Sequence, residues 1–379
     1  MNPPPVFLPI AIVLLAILVV ALCIRRLRTL QRTPPAKWRR ITEWVLLSLV
    51  ILVCVVGAGS TIYNAAALRY YRAIYPAPGT MYSVNGHDMH LYCTGAGSPT
   101  IILESGWGSN SATWAKVQPE LSRITRVCSY DRAGFGWSTA QPPPRDADTI
   151  ARELHVLLQQ ADVQGPLVLM GHSAGGIYIR DYASHYPANI AGLIFVDSPA
   201  PLHEDRESAE LRATSNLSRP FYYVVDLALD MGLVRMAGQC APEPGLDEPT
   251  GKRIAQLQCG VLFSTFWNEY RSDRQSGEET IHTGPYGDLP VLIFSHDTEL
   301  ARQTKDLPPK LALEMSVVWD QAQEDLKRLS TRSRRIIAKG SGHHIQYDRS
   351  DLLNREVAIF IQQIRDNEPR SDYGSTKTE

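Results

Sequence analysis

Charge of one sign is missing from this sequence. Its 379 residues hold 38 Lys and Arg against 39 Asp and Glu, a net charge of −1, so nothing suggests nucleic acid or a polyanionic substrate. No two of the six cysteines stand in CxxC spacing and no Cys/His cluster forms, so nothing suggests a zinc site. No internal repeat runs through the chain.

What is abundant is uninterrupted apolar sequence near the N-terminus. Val6 to Ile24 and Trp44 to Ile62 are each 19 residues without a charge, about the hydrocarbon thickness of a bilayer when helical. The first run exceeds the apolar core of a usual signal peptide and no small-x-small cleavage site precedes the basic residues after it, so both runs are expected to span. Arg25, Arg26, Arg28, Arg32, Lys37, Arg39 and Arg40 lie between them, whereas Arg69 and Arg72 follow the second. That asymmetry predicts a transmembrane hairpin over 1–65 with a cytoplasmic basic loop, a linker over 66–78, and the remainder on the extracytoplasmic side. Cys23 and Cys54 fall inside the runs. Cys93, Cys128, Cys240 and Cys259 lie in the part expected to face outward, where oxidising conditions permit two disulfides.

From Gly79 onward short β-rich runs alternate with helical stretches, the pattern of a mostly parallel sheet covered by helices. "MYSVNGHDMHLYC" reads as a hairpin turning at Asn85 and Gly86,. "TIILESG" and "RVCSYD" read as strands with a helix over "SATWAKVQPELS" between them, capped near Ser111 or Thr113. "DADTIARELHVLLQQAD" places Ile150, Leu154, Leu157 and Leu158 on one helical face behind acidic residues,. After Pro201 the alternation breaks, and an aromatic-rich helical insertion over about 201–285 is expected to form a lid. It resumes with "LPVLIFSHD", a helix around 311–330, "RRIIAKG" and the final helix "DLLNREVAIFIQQIRD". A polar, disordered tail is expected over 367–379.

The run "LVLMGHSAGGIYIRDY" sets Ser173 between Gly171 and Gly175, where a strand must reverse into a helix. Small neighbours relieve the strained corner and leave the serine hydroxyl projecting, as a nucleophile requires. Such a serine needs a base, an acid that orients the base, and donors for the oxyanion. His343 in "GSGHHIQYD" follows the last strand and is the favoured base; its neighbour His344 is the alternative. Asp131 and Arg132, at a strand end, are read as holding their loop.

The segments "ESGWG", "YDRAGFGWS", "GHSAGG" and "GSGHHIQYDRSDLL", in this order over about residues 80–366, resemble the α/β-hydrolase fold superfamily. The resemblance implies an eight-stranded, mostly parallel α/β sheet over 79–366 with a lid insertion, and the chain order serine, acid, histidine. It offers two acids: Asp297 after the seventh strand, and Asp197 at the end of the sixth. It implies an oxyanion hole from the backbone N–H groups of Ala174 and Trp107, although Ser105-Gly106 stands where many members have His-Gly. It also sets the second strand beside the fourth, which would make Cys93 and Cys128 neighbours. Cys240 and Cys259 flank the Pro/Gly-rich break in the insertion, where a second bridge could staple two helices.

Together these readings give a membrane-anchored serine hydrolase acting on small-molecule or lipid esters through an acyl-enzyme, with no metal or organic cofactor. The bilayer is its expected partner, through the two spans. Serine at the elbow argues against the dehalogenase and epoxide hydrolase branches, which the resemblance associates with a nucleophilic aspartate. An acyltransferase would use the same triad, and a catalytically silent binding protein the same fold.

Overall fold

Alternation of side chains is what lets the central strands bury both faces. In β3 (Thr100–Glu104) Ile101 and Leu103 enter one apolar cluster and Ile102 the other, and in β5 (Leu167–His172) Val168 and Met170 oppose Leu167 and Leu169, as the period of two dictates. Helices cover each face. Ala147–Gln160 and Gly175–His185 lie in the first cluster, and Ser350–Asp366 in the second. The Asp146 carboxylate caps the first of these helices by accepting from the Thr149 N–H at 2.9 Å,.

The computed structural model describes residues 7–32, 35–215, 224–225, 227–229, 231–240, 248–259, 262–303, 307–366 and 376–379. The remaining strands are β1 (Thr80–Val84), β2 (His87–Thr94), β4 (Val127–Tyr130), β6 (Ile190–Val196), β7 (Val291–Ser295), β8 (Ser333–Ile337) and β9 (Thr376–Thr378). They form one sheet in the order β1-β2-β4-β3-β5-β6-β7-β8-β9. β1 and β2 pair antiparallel through Asn85 and Gly86, both at positive φ, and β2 pairs antiparallel with β4; all other neighbours are parallel.

The ninth strand corrects the expectation of eight. Residues 367–375 lie outside the described part, but Thr376–Thr378 pairs with β8, and Arg349 and Arg355 hold Glu379. Composition marked the tail as polar without revealing that β8 offers it an unpaired edge. The helix expected over 111–122 is also corrected. It is a 3-10 turn, Ser111–Trp114, then a single α-turn, Gln118–Leu121. Pro119 lacks the N–H needed to continue a helix from 111, and the cap is Asn110, whose side-chain oxygen accepts from the Ala112 N–H at 2.8 Å.

The chain divides into two compact units. One comprises Met1–Pro76, Ser218–Pro242 and Ala255–Phe263; the other comprises Ala77–Leu217, Glu243–Ile254 and Ser264–Glu379 and holds the sheet. In the first, helices α1 (Phe7–Arg32) and α2 (Lys37–Ile74) pack on each other, and Arg26 pairs with Glu43 at 2.7 Å beside the turn. Both are long and apolar enough to cross a membrane. The insertion contains short helices including His203–Arg206, Ala209–Ser215, Leu262–Arg271 and Asp273–Thr280. The Pro/Gly-rich break at 241–251 falls largely outside the described residues.

Cys93 and Cys128 face each other directly across β2 and β4 and are disulfide-bonded, 35 positions apart in sequence. A second disulfide joins Cys240 and Cys259. Opening the first by Cys93→Ala with Cys128→Ala should cost about 3 to 4 kcal/mol in the chain-entropy account. The denaturant midpoint of the detergent-solubilised protein should fall accordingly; an unchanged midpoint would show that the bridge does not constrain the unfolded chain.

Candidate active site

β5 is followed directly by Ser173, whose φ of +53° is unusual for any residue other than glycine,. The turn holds because nothing crowds it. A Cβ on Gly171 would lie 2.5 Å from the Gly175 carbonyl oxygen, and one on Gly175 would lie 2.7 Å from that of Glu104. The Ser173 N–H is fixed on the Val196 carbonyl at 3.0 Å. Ala174 follows at the N-cap of the helix Gly175–His185, where backbone N–H groups are free of helical partners and the helix dipole favours negative charge.

Of the two adjacent histidines, His343 faces the end of β6. Its Nδ1 lies 2.6 Å from Asp197 Oδ2, and its ring stands 4.8 Å from that of His172 and 5.7 Å from Trp319. His344 stacks on Tyr347 at 5.4 Å and also stands 5.2 Å from the His172 ring, but no hydrogen bond joins it to Asp197 among the described residues. His172, just before the serine, donates from Nε2 to the His343 carbonyl at 3.1 Å. That bond fixes its tautomer, since a carbonyl only accepts. Burial, with the nearby His343 and His344, holds its pKa well below the usual imidazole value, so His172 remains neutral while it anchors the loop.

Asp197 is buried at φ +47°. Besides His343 it accepts from the His296 N–H at 3.1 Å, His296 Nδ1 at 2.9 Å, the Trp319 indole at 3.2 Å and the Gln323 amide at 2.9 Å. Burial would push its pKa up, but the bonds from His296 and His343 outweigh that and hold it well below the carboxylate range,. His296 shows the reciprocal effect: burial would depress it, and the Asp197 bond raises it above the ordinary imidazole value.

Asp297, the other acid offered by the sequence, is engaged elsewhere. It caps the turn Thr298–Ala301, accepting from the Glu299 N–H at 3.0 Å, and its second oxygen accepts from the Gly340 N–H at 2.9 Å. Successive side chains leaving a strand point to opposite sides. Here His296 points to Asp197 while Asp297 ties the end of β7 to the loop after β8.

The loop carrying Trp107 is held by Arg132. All five of its N–H groups are used: one on Glu104, two on Glu269, and two on the Ser105 and Gly106 carbonyls, at 2.6 to 2.8 Å,. Burial raises the Glu104 pKa to about 7 even with Arg132 beside it. Asp131 accepts from the Ser111 and Trp137 N–H groups and from His90. Both residues act on the loops, as read from sequence. The Trp107 indole donates to Tyr178 at 3.0 Å and meets the Tyr270 ring edge-on at 5.6 Å.

Sequence reasoning missed four residues: His296, Trp319, Gln323 and Glu269. The first three grip Asp197 from β7 and from the helix Pro309–Asp325, and Glu269 reaches Arg132 from inside the insertion. The i, i+4 spacing of Trp319 and Gln323 on one helical face was the one readable signal. Among the described residues the group of ligand-type side chains close enough for a metal ion is Asp148, Asp181 and His185. There His185 already pairs with Asp181 at 3.3 Å.

A family model described as alpha/beta hydrolase fold matches residues 99–218. An uncharacterized Bacillus subtilis protein, YbdG, is 29% identical over 276 residues, covering 70% of this chain and 83% of its own. The solved epoxide hydrolase CorEH superposes with TM-score 0.57 at 15% identity, covering 76% of this chain and 99% of its own. A thermophilic esterase from Thermogutta terrifontis gives TM-score 0.53 at 18% identity, covering 75% and 98%.

The geometry separates the two acids by experiment. Asp197→Asn should lower kcat/KM for an ester roughly a thousandfold or more, because an orienting carboxylate fixes the imidazole tautomer. Asp297→Asn should cost less than about tenfold, as loss of a cap acts on the loop and leaves the imidazole in place. Equal, mild losses in steady-state kinetics would contradict the assignment of Asp197.

Proposed function

We propose that this chain, an α/β hydrolase by fold, is a membrane-anchored serine hydrolase that cleaves carboxylic esters, lipid esters among them, through an acyl-enzyme on Ser173. The observation that carries the reading is the 2.6 Å pairing of His343 with a buried Asp197, on a loop whose His343 carbonyl is held by His172, the residue before a serine at positive φ on the strand-to-helix turn.

In this mechanism His343 Nε2 takes the Ser173 hydroxyl proton as Oγ bonds to the acyl carbon. Asp197 receives the Nδ1 hydrogen bond and offsets the charge that the ring then carries. Negative charge develops on the carbonyl oxygen, and the backbone N–H groups of Ala174 and Trp107 are its assigned donors. Collapse expels the alcohol, protonated by His343. Water, deprotonated by the same imidazole, then attacks the acyl-enzyme and releases the acid and free Ser173. Every group used belongs to the chain.

A serine at the turn supports this chemistry over that of the epoxide hydrolase with which the chain shares its fold, since the superfamily resemblance associates that branch with a nucleophilic aspartate. The aromatic insertion supports an apolar substrate, with 201–285 acting as a lid. The two apolar helices and the basic residues between them support anchoring, with the basic turn cytoplasmic and the hydrolase part extracytoplasmic.

Ser173→Ala should abolish hydrolysis of p-nitrophenyl esters by several orders of magnitude while leaving the circular dichroism spectrum unchanged. Retention of more than about a tenth of the parent rate would rule out Ser173 as nucleophile. Adding alcohol acceptors to the same assay separates hydrolysis from acyl transfer, since transfer would yield a new ester in place of free acid.

A further inference from the structure

α2 is 38 residues long, about twice what its apolar run from Trp44 to Ile62 needs to cross a bilayer,. Its buried residues are Gly57, Ser60, Thr61, Asn64 and Ala67, a single stripe at helical spacing. Part of the insertion covers that stripe, within the same compact unit. The Met231 methyl occupies the space where a Cβ on Gly57 would stand, and Gly232 backs onto Asn64 and the Ser60 carbonyl. Arg235 donates to Asn64 Oδ1 at 2.9 Å, and its guanidinium lies 5.5 Å from the centre of the Tyr71 ring. The same arginine donates to the Gln256 and Cys259 carbonyls, each at 2.7 Å, and the Cys240–Cys259 disulfide closes the segment.

Position 57 fixes the depth of this docking. It lies five residues inside the apolar run, which ends at Ile62, a distance of about 7.5 Å along the helix. Amphipathic helices that lie in the membrane plane sink about 5 to 10 Å into the boundary between headgroups and acyl chains. The segment's outward side is apolar: Val224 is 67% exposed, Leu227 48% and Met236 50%. Tyr63 and Tyr70, also exposed, sit on α2 just beyond the run, where tyrosines gather at membrane interfaces.

We propose that the segment carrying Val224, Leu227, Arg235 and Met236 is an interfacial element that lies in the bilayer surface against α2, with lipid acyl chains as the partner of its exposed apolar side chains. The inference rests on the reading of α2 as a span and deepens the proposed function: part of the insertion is immersed in lipid by its attachment to the anchor itself. Its apolar surface then needs no protein partner, and the buried Arg235 sits at headgroup level with its hydrogen bonds made within the unit.

The test is nitroxide accessibility in the full chain, with Cys23 and Cys54 replaced by Ala, in phosphatidylcholine vesicles. Labels go in separate variants at Leu227→Cys, at Met236→Cys, at Leu52→Cys inside the run, and at Glu299→Cys as a water-exposed control. The labels at 227 and 236 should behave like that at 52, favouring collision with oxygen and meeting a nickel chelate at least about fivefold less often than the label at 299. Nickel access at 227 and 236 equal to that at 299, with 52 protected, would overturn the interfacial docking while leaving the span intact. Nickel access at 52 would overturn the span and this inference with it.

Discussion

The hydrogen bond between Asp197 and His343 is the constraint on which the site depends. A fully buried carboxylate is costly unless its charge is met by donors. Asp197 meets five, from His343, from the backbone and ring of His296, from Trp319 and from Gln323. Those donors come from three separate parts of the chain: the end of β7, the helix Pro309–Asp325 and the loop after β8. The carboxylate therefore gathers the upper edge of the sheet around one anion, and the anion in turn fixes the ring of His343. Because four of the donors come from groups other than His343, the carboxylate stays held even without the His343 bond.

A second buried charge, Arg132, plays the corresponding part for the loop that carries Trp107. Arg132 uses all its N–H groups, and two of them fix the Ser105 and Gly106 carbonyls that precede Trp107. Glu104 and Glu269 balance the cation. One charge centre orients the imidazole and the other shapes the loop assigned to oxyanion binding, and each is saturated with hydrogen bonds. The loops beside Ser173 are thus fixed by hydrogen bonds within the chain, the preorganisation that the proposed mechanism requires.

Much of this was legible in the sequence because periodicity and turn chemistry are local. Short continuous apolar runs gave β3 and β5, Asn85-Gly86 gave the first hairpin, and the glycines around Ser173 gave the turn. The pairing of Cys93 with Cys128 followed from the strand order that the α/β-hydrolase resemblance implies. The choice between Asp197 and Asp297 was not legible, since both leave parallel strands at the same sheet edge and only the direction of one side chain separates them. His296 was hidden for the same reason, standing one residue before the acid that was weighed. Glu269 lies 137 residues from Arg132 in sequence, and nothing local connects them. The tail strand Thr376–Thr378 depends on an edge that exists only once β8 is in place.

The central claim is that this arrangement makes Ser173, among all the serines of the chain, the activated nucleophile. Its most direct test is to react the intact protein with a fluorophosphonate, digest it and locate the adduct by mass spectrometry. The account predicts one phosphonylated residue, Ser173, with labelling lost when His343 is replaced by Ala. An adduct on another residue, or labelling of Ser173 that persists without His343, would contradict it.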